Sequence, residues 1–349
     1  MATRTQVAVV GAGPIGLELA SAFKLGGVKY LHFDAGQIGH TVSWMPRQMR
    51  FFSSPDRISI CGVPLQTVEQ EKASREEYLA YLRSIVEQFD LTVHTHEKIM
   101  SIQKSGSKFL LTSEKATGQH QYVADYVVLA TGDLNRAREL NLPGEDLPHV
   151  SHYFDEPHRY FRKRLLIVGG RNSAVEAAIR CQRAGADVAV SYRGDEFDTQ
   201  SVKYWLAPEI EMLIKTERVT YYPLTIPTVI TPQHVSLRQV QTGQCTQVPA
   251  DFVLLLVGYE MDTTLMEQVG VALAGENQAP QLDLQTMQTN VPGFYVGGTA
   301  AAGTQIRFQL FIENCHPHVG KIFESITGRQ CPFDATDKTH SGRYALPES

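Results

Sequence analysis

Thr5-Gln-Val-Ala-Val-Val10 runs directly into Gly11-Ala-Gly13-Pro14-Ile15-Gly16, after which Leu17, Ala20 and Phe23 recur at helical spacing. The order strand, glycine turn, helix decides the fold. Thr5–Val10 reads as a buried strand. Gly11 permits a tight turn, Gly13 lets backbone approach a pyrophosphate, and Gly16 allows the helix to pack closely on the strand. The helix then points its free N–H groups and positive dipole end at the phosphates, beside Pro14 and Ile15.

Working outward, Gly26-Gly27 ends that helix, Val28–Phe33 forms a second strand, and Asp34 stands at its end, 21 residues after Gly13. A carboxylate there accepts hydrogen bonds from an adenosine ribose diol and repels a 2′-phosphate. The first nucleotide is therefore FAD or NAD rather than NADP.

The pattern recurs. Leu165–Val168 reads as a strand, Gly169-Gly170-Arg171-Asn172-Ser173-Ala174 as a loop, Val175–Arg183 as a helix closed by Gly185, and Asp187–Ser191 as the next strand. Aligning Gly169 with Gly11 puts Tyr192, not an acid, at the position of Asp34, with Arg193 just beyond. Losing the acid and gaining arginine admits a 2′-phosphate. Arg171 replaces the middle glycine, so either it reaches over a pyrophosphate seated further out or this loop binds nothing.

Two such loops on one chain, 158 residues apart, indicate an α/β protein with two Rossmann-like dinucleotide-binding domains and a two-nucleotide oxidoreductase chemistry. Tyr126–Gly132 reads as a strand ending in the Ala-Thr131-Gly132 that closes an FAD half. Asp251–Tyr259, with Gly258, plays the same part in an NADPH half. After Asn290-Val-Pro-Gly293, Phe294–Val296 enters Gly297-Gly298-Thr299 and then a helix from about Gln305 to Ile326. The expected division is 1–134 and 285–328 for a discontinuous FAD domain, 135–284 for the NADPH domain with a Pro- and His-rich linker at 133–164, and 329–349 as a loose tail.

Composition narrows the partners. The 349 residues carry 32 Lys+Arg against 37 Asp+Glu, a net charge of −5 with basic residues dispersed, which argues against nucleic acid. Five cysteines, an odd number with no CxxC pair, exclude a disulfide scaffold and fit a reducing cytoplasm. Glu18 and the Gly-Pro pair interrupt the N-terminal apolar stretch and no A-x-A site follows, which argues against a signal peptide. The longest later apolar run, Phe252–Val257, falls far short of the roughly 20 residues a membrane span needs. His316-x-His318 would put two imidazoles on different helix faces, so no metal site is expected.

Further stretches carry a resemblance. Phe51-Phe52-Ser53-Ser54 before Val63-Pro64, Leu142–Pro148 with His152-Tyr-Phe154, Gly169–Ser173, Tyr192-Arg-Gly194, Trp205, Pro208-Glu209 and Phe311-Ile-Glu-Asn314 resemble signatures of the thioredoxin-reductase-like flavoproteins, and among them the bacillithiol-disulfide reductase family. The resemblance spans about residues 5–327. It implies bound FAD held in part by Ser53, Gly298 and Thr299, NADPH as donor, a homo-oligomer, and hydride passing through flavin to the disulfide of a low-molecular-weight thiol or another small acceptor. Two positions depart from it. Members usually carry Cys where Ile15 stands, and isoleucine cannot form a mixed disulfide. Thioredoxin-reductase relatives carry Asp where Thr299 stands.

The candidates for chemistry are accordingly few. Cys61 and Cys315 are the thiols in segments expected near the flavin, and His318 is the histidine best placed to protonate a leaving thiolate. Cys181, Cys245 and Cys331 read as structural. A flavin-dependent monooxygenase, and a non-catalytic redox-sensing or electron-relay flavoprotein, share the two-loop layout and need no loop thiol.

Overall fold

The computed structural model describes residues 2–198, 202–306 and 309–336. The chain forms two compact units, one of residues 1–44, 48–136 and 260–349, the other of Met45–Arg47 and Ala137–Tyr259.

In the first unit, Phe294–Val296, Gly118–Leu129, Thr3–Val10 and Tyr30–Phe33 lie side by side in that order as parallel strands. Val10 is level with both Leu129 and Phe33, so the chain leaves all three at one sheet edge. Such carboxyl ends are where open α/β sheets bind ligands. An antiparallel hairpin, Lys98–Ser105 and Lys108–Lys115, extends the sheet from Gly118–Leu129. The helices Pro14–Leu25 and Ile312–Thr327 cover one face, burying Leu19, Phe23, Val319, Ile322 and Phe323 against Val7, Val9 and Val128. The pattern arises because Val7, Val9 and Val128 face these helices while Ala8, Val10, Val127 and Leu129 face the opposite core.

The second unit repeats the plan. Val219–Tyr222, Asp187–Ser191, Arg164–Val168, Phe252–Leu255 and Val150–Ser151 form a parallel sheet. The helix Asn172–Arg183 lies on one face with Ala207–Lys215. An antiparallel meander, Thr225–Ile230, His234–Gln239 and Cys245–Pro249, packs on the other.

Four boundaries differ from the sequence reading. The second unit ends at Tyr259 rather than 284, because Leu265, Met266 and Val271 join the apolar core of the first sheet. The 133–164 linker is partly built into the second unit, where Val150–Ser151 adds an edge strand. The last helix begins at Ile312, not Gln305, because the Gln305 side chain accepts from the Gln309 and Leu310 N–H groups at 2.8 and 2.9 Å and wraps the chain around itself. Of the tail, Cys331, Phe333 and Ala335 pack on the core rather than lying loose, and 337–349 fall outside the described residues. No helix among the described residues is long and apolar enough to cross a membrane.

Candidate functional site

The first glycine loop is fixed by contacts that only glycine tolerates. Gly11 has φ +106°, and a Cβ on it would sit 2.4 Å from the Ala130 carbonyl oxygen. A Cβ on Gly16 would sit 1.9 Å from the Gly11 carbonyl oxygen. Gly13 is different: a Cβ there would meet nothing within 4 Å. Packing explains Gly11 and Gly16, whereas an open approach at the helix start is what the phosphates of a nucleotide require. Pro14–Leu25 has no side-chain cap and no acid in its first turn. By contrast, Arg75–Gln88 is closed by a full capping box from Ser74 and Glu77. The uncapped start leaves N–H groups and a positive dipole end for an anion.

Asp34 is brought onto this loop. Its Oδ2 accepts from the Ala12 N–H at 2.6 Å and its Oδ1 from the Gly36 N–H at 2.8 Å, which leaves lone pairs on both oxygens for a ribose diol. Thr131 and Gly132 follow Ala130 beside Gly11, and Thr299 Oγ1 lies 3.6 Å from where a Cβ on Gly132 would be. Gly298, at φ +74°, packs on Ile15, whose side chain is buried. Ser53 is buried just before the short helix Pro55–Ile58. Loop, acid, Thr131-Gly132 and Gly298-Thr299 thus converge at one sheet edge, and FAD fits them.

Residues that the sequence reading did not single out hold these walls in place. His32, fully buried, donates from Nε2 to the Gly11 carbonyl at 2.8 Å. Burial holds its pKa down at about 4, so the ring is neutral. Gln305 donates to Asp133 Oδ2 at 2.9 Å and to the Leu310 carbonyl at 3.0 Å, tying the segment after Gly132 to the approach of the last helix. Glu97, also buried, accepts from Ser113 and Tyr122 at 2.6 Å and from Lys115 at 3.1 Å. Burial raises its pKa, but these hydrogen bonds outweigh that and hold it at about 2. Its own N–H donates to the Asp34 carbonyl at 2.9 Å, which braces the strand end carrying Asp34.

The chemical candidates are less accessible than their sequence positions suggest. Cys315 is fully buried in the core between the first and last helices, and Cys61 is buried on the other side of the first helix. A thiol must reach solvent to meet a soluble disulfide. His318 accepts the Gly298 N–H through Nδ1 at 3.2 Å. Burial first, then Lys321 and His316, lower its pKa to about 4. It is neutral at pH 7 and acts there as a hydrogen-bond acceptor rather than as an imidazolium donor. Among the described residues, no cluster of three or more His, Cys, Asp or Glu could hold a metal.

The second loop has the same construction with different chemistry. Gly169 has φ +142°, and a Cβ on it would lie 2.4 Å from the Leu256 carbonyl oxygen. Asn172–Arg183 also starts without a side-chain cap or an acid, with Arg171 at its N-cap and Ser173 in its first turn. Asn172 Oδ1 accepts the Lys203 N–H at 2.9 Å, so that oxygen is engaged within the protein. Tyr192 turns inward: a Cβ on Gly170 would lie 2.4 Å from its ring, one on Gly194 would lie 2.6 Å away, and the ring stacks on Phe197 at 5.9 Å. Tyr192 rather than a carboxylate follows this strand, and Arg193 stands next, exposed. Gly258, at φ +108°, is open at the end of Phe252–Leu255.

The profile of the pyridine nucleotide-disulphide oxidoreductase family matches residues 8–298, taking in both loops and both strand ends. The chain belongs to that family. Among similar proteins, bacilliredoxin reductase Bdr from Bacillus subtilis (strain 168) is 33% identical over 323 residues, 92% of this chain and 97% of the relative. The structure of bacillithiol disulfide reductase Bdr from Bacillus cereus superposes with a TM-score of 0.89 at 32% identity, over 94% of this chain and 100% of that one. Thioredoxin reductase from T. acidophilum, at 19% identity, covers 93% of this chain and 97% of its own with a TM-score of 0.71, and shows the fold alone. This member of the oxidoreductase family therefore has the thioredoxin-reductase-like fold, with two Rossmann-like domains.

Proposed function

We propose that the chain is an NADPH-dependent flavoprotein that reduces a small disulfide, with the first unit holding FAD and the second NADPH. The observation that carries this reading is the contrast between the two strand ends: Asp34 bonded onto the first loop, Tyr192 tucked away with Arg193 beside it at the second. The likeness to bacillithiol disulfide reductase and bacilliredoxin reductase supports a disulfide of a low-molecular-weight thiol as acceptor, and the five cysteines without a CxxC pair support a reducing cytoplasm. Bound FAD would supply the two-electron chemistry that couples oxidation of NADPH to reduction of the disulfide, with the second proton drawn from water. The protein's share is to seat the pyrophosphates on two uncapped helix starts, to select the nucleotides through Asp34 and Arg193, and to hold Gly298-Thr299 through His318.

An anaerobic titration with NADPH tests this. The purified protein is expected to be yellow, to bleach on NADPH addition, and to recover its colour with bacillithiol disulfide. A colourless protein refutes the FAD assignment, and a flavin that stays oxidised refutes the reductase. Recovery only with O2 and an organic substrate would instead support a monooxygenase. Arg193→Glu is expected to raise KM for NADPH by about 10- to 150-fold, the worth of one charged hydrogen bond, with KM for NADH little changed. Equal changes for both cofactors would remove Arg193 from the phosphate site.

A further inference from the structure

Glu18 and His316 meet inside the first unit, both fully buried, with Glu18 Oε2 2.7 Å from His316 Nδ1. The remaining partners fix how many protons the pair holds. His316 Nε2 faces the Arg57 carbonyl at 3.0 Å, and a carbonyl only accepts, so Nε2 carries hydrogen. Glu18 Oε1 accepts the Cys61 N–H at 3.1 Å. One proton therefore lies between Oε2 and Nδ1, and on whichever atom it rests the pair is neutral overall.

We infer that this pair is a one-proton clasp that positions the FAD site, Glu18 and His316 being positioning residues. The inference rests on the FAD reading above. Glu18 stands two residues after Gly16, on the helix whose start faces the phosphates. His316 stands two residues before His318, which holds Gly298. Arg57 belongs to the short helix after Ser53-Ser54, whose Ile58 carbonyl is held from the other side by the Tyr78 hydroxyl at 2.9 Å. The clasp thereby joins three walls of the site, the first-loop helix, the 53–58 segment and the last helix, residues nearly 300 positions apart in the chain. An apolar pair would fill the space but would fix no register between these elements, and loss of either partner strands a buried polar group.

The test compares Glu18→Gln with Glu18→Leu. Glutamine reproduces the pattern, its Oε1 accepting from Cys61 N–H and its Nε2 donating to His316 Nδ1, without ionising. Glu18→Gln is expected to bind FAD within about 3-fold of wild type, and Glu18→Leu about 10- to 100-fold more weakly, the effect of two unpaired buried groups. FAD affinity is read by quenching of flavin fluorescence on apoprotein already shown by circular dichroism to be folded, so that loss of fold is counted separately. Where Glu18→Leu does not fold, His316→Gln keeps a donor for the Arg57 carbonyl while dropping the Glu18 bond, and is expected to give the same loss. Wild-type affinity in the folded Leu or His316→Gln variant overturns the clasp. So does a Gln variant as weak as the Leu variant, which would mean that charge rather than hydrogen bonding matters. A wild-type protein that binds no FAD overturns the FAD reading itself, and the clasp with it.

Discussion

Gly13→Ala is expected to weaken FAD binding by about 100-fold or more while leaving the apoprotein as stable as wild type, within about 2 °C in Tm. Gly13 has φ −76°, a conformation alanine adopts freely, and its Cβ would point into open space. Nothing in the polypeptide penalises the methyl group, so any penalty must come from what the loop binds. Alanine even restricts the unfolded chain slightly, in favour of folding. Gly11→Ala and Gly16→Ala make the contrast, because their methyl groups would collide with backbone at 2.4 and 1.9 Å. Those two are expected to lose fold and flavin together. A Gly13→Ala protein that is purified fully yellow, with unchanged affinity by fluorescence titration, would show that no phosphate rests on this loop.

Acidification is expected to release the flavin between pH 6.5 and 4. His32 and His318 have pKa values near 4 in the folded protein, against an ordinary value near 6.5. Their neutral state favours folding fully above pH 6.5. As pH falls, the unfolded chain takes up protons first, and the advantage is lost progressively down to about pH 4, at up to about 3 kcal/mol for each ring. Glu97 and Asp251, both held at about 2, lose their contribution only below the usual carboxylate range, so the histidines fail first. His32 grips the Gly11 carbonyl and His318 the Gly298 N–H, so protonation should disturb the flavin site before global unfolding. The check is flavin fluorescence followed through a pH titration, with His32→Gln and His318→Gln beside the wild type. Release midpoints that do not move down in either variant would clear both rings of the effect.

The two loops were legible because backbone sterics leave marks in sequence: a carbonyl 2.4 Å from a Cβ position admits glycine and nothing else. The place of Asp34 was legible because a residue just past a strand end stands beside the glycine loop, where its carboxylate accepts the Ala12 N–H at 2.6 Å. What supports them was not legible. Gln305 and Asp133 are 172 residues apart, and nothing local in either segment announces the bond between them. His32 sits in a strand where most residues pack by hydrophobicity alone, so its service to Gly11 shows only in three dimensions. The 284 boundary failed for a related reason: the segment after Tyr259 is made of short pieces whose allegiance is decided by which core takes Met266 and Val271.

The carbonyl that presses on each loop's first glycine comes from the same place twice, Ala130 after one central strand and Leu256 after the other, at 2.4 Å in both. The two halves are casts of one mould, and their constraints come in pairs. Gly11 and Gly169 are tied to the mould and cannot drift, whereas the loops differ at the position of Gly13, where a Cβ would meet nothing within 4 Å and where the second loop carries Arg171. Each half keeps the glycine that its own backbone requires, and the two part company where no backbone atom dictates the residue.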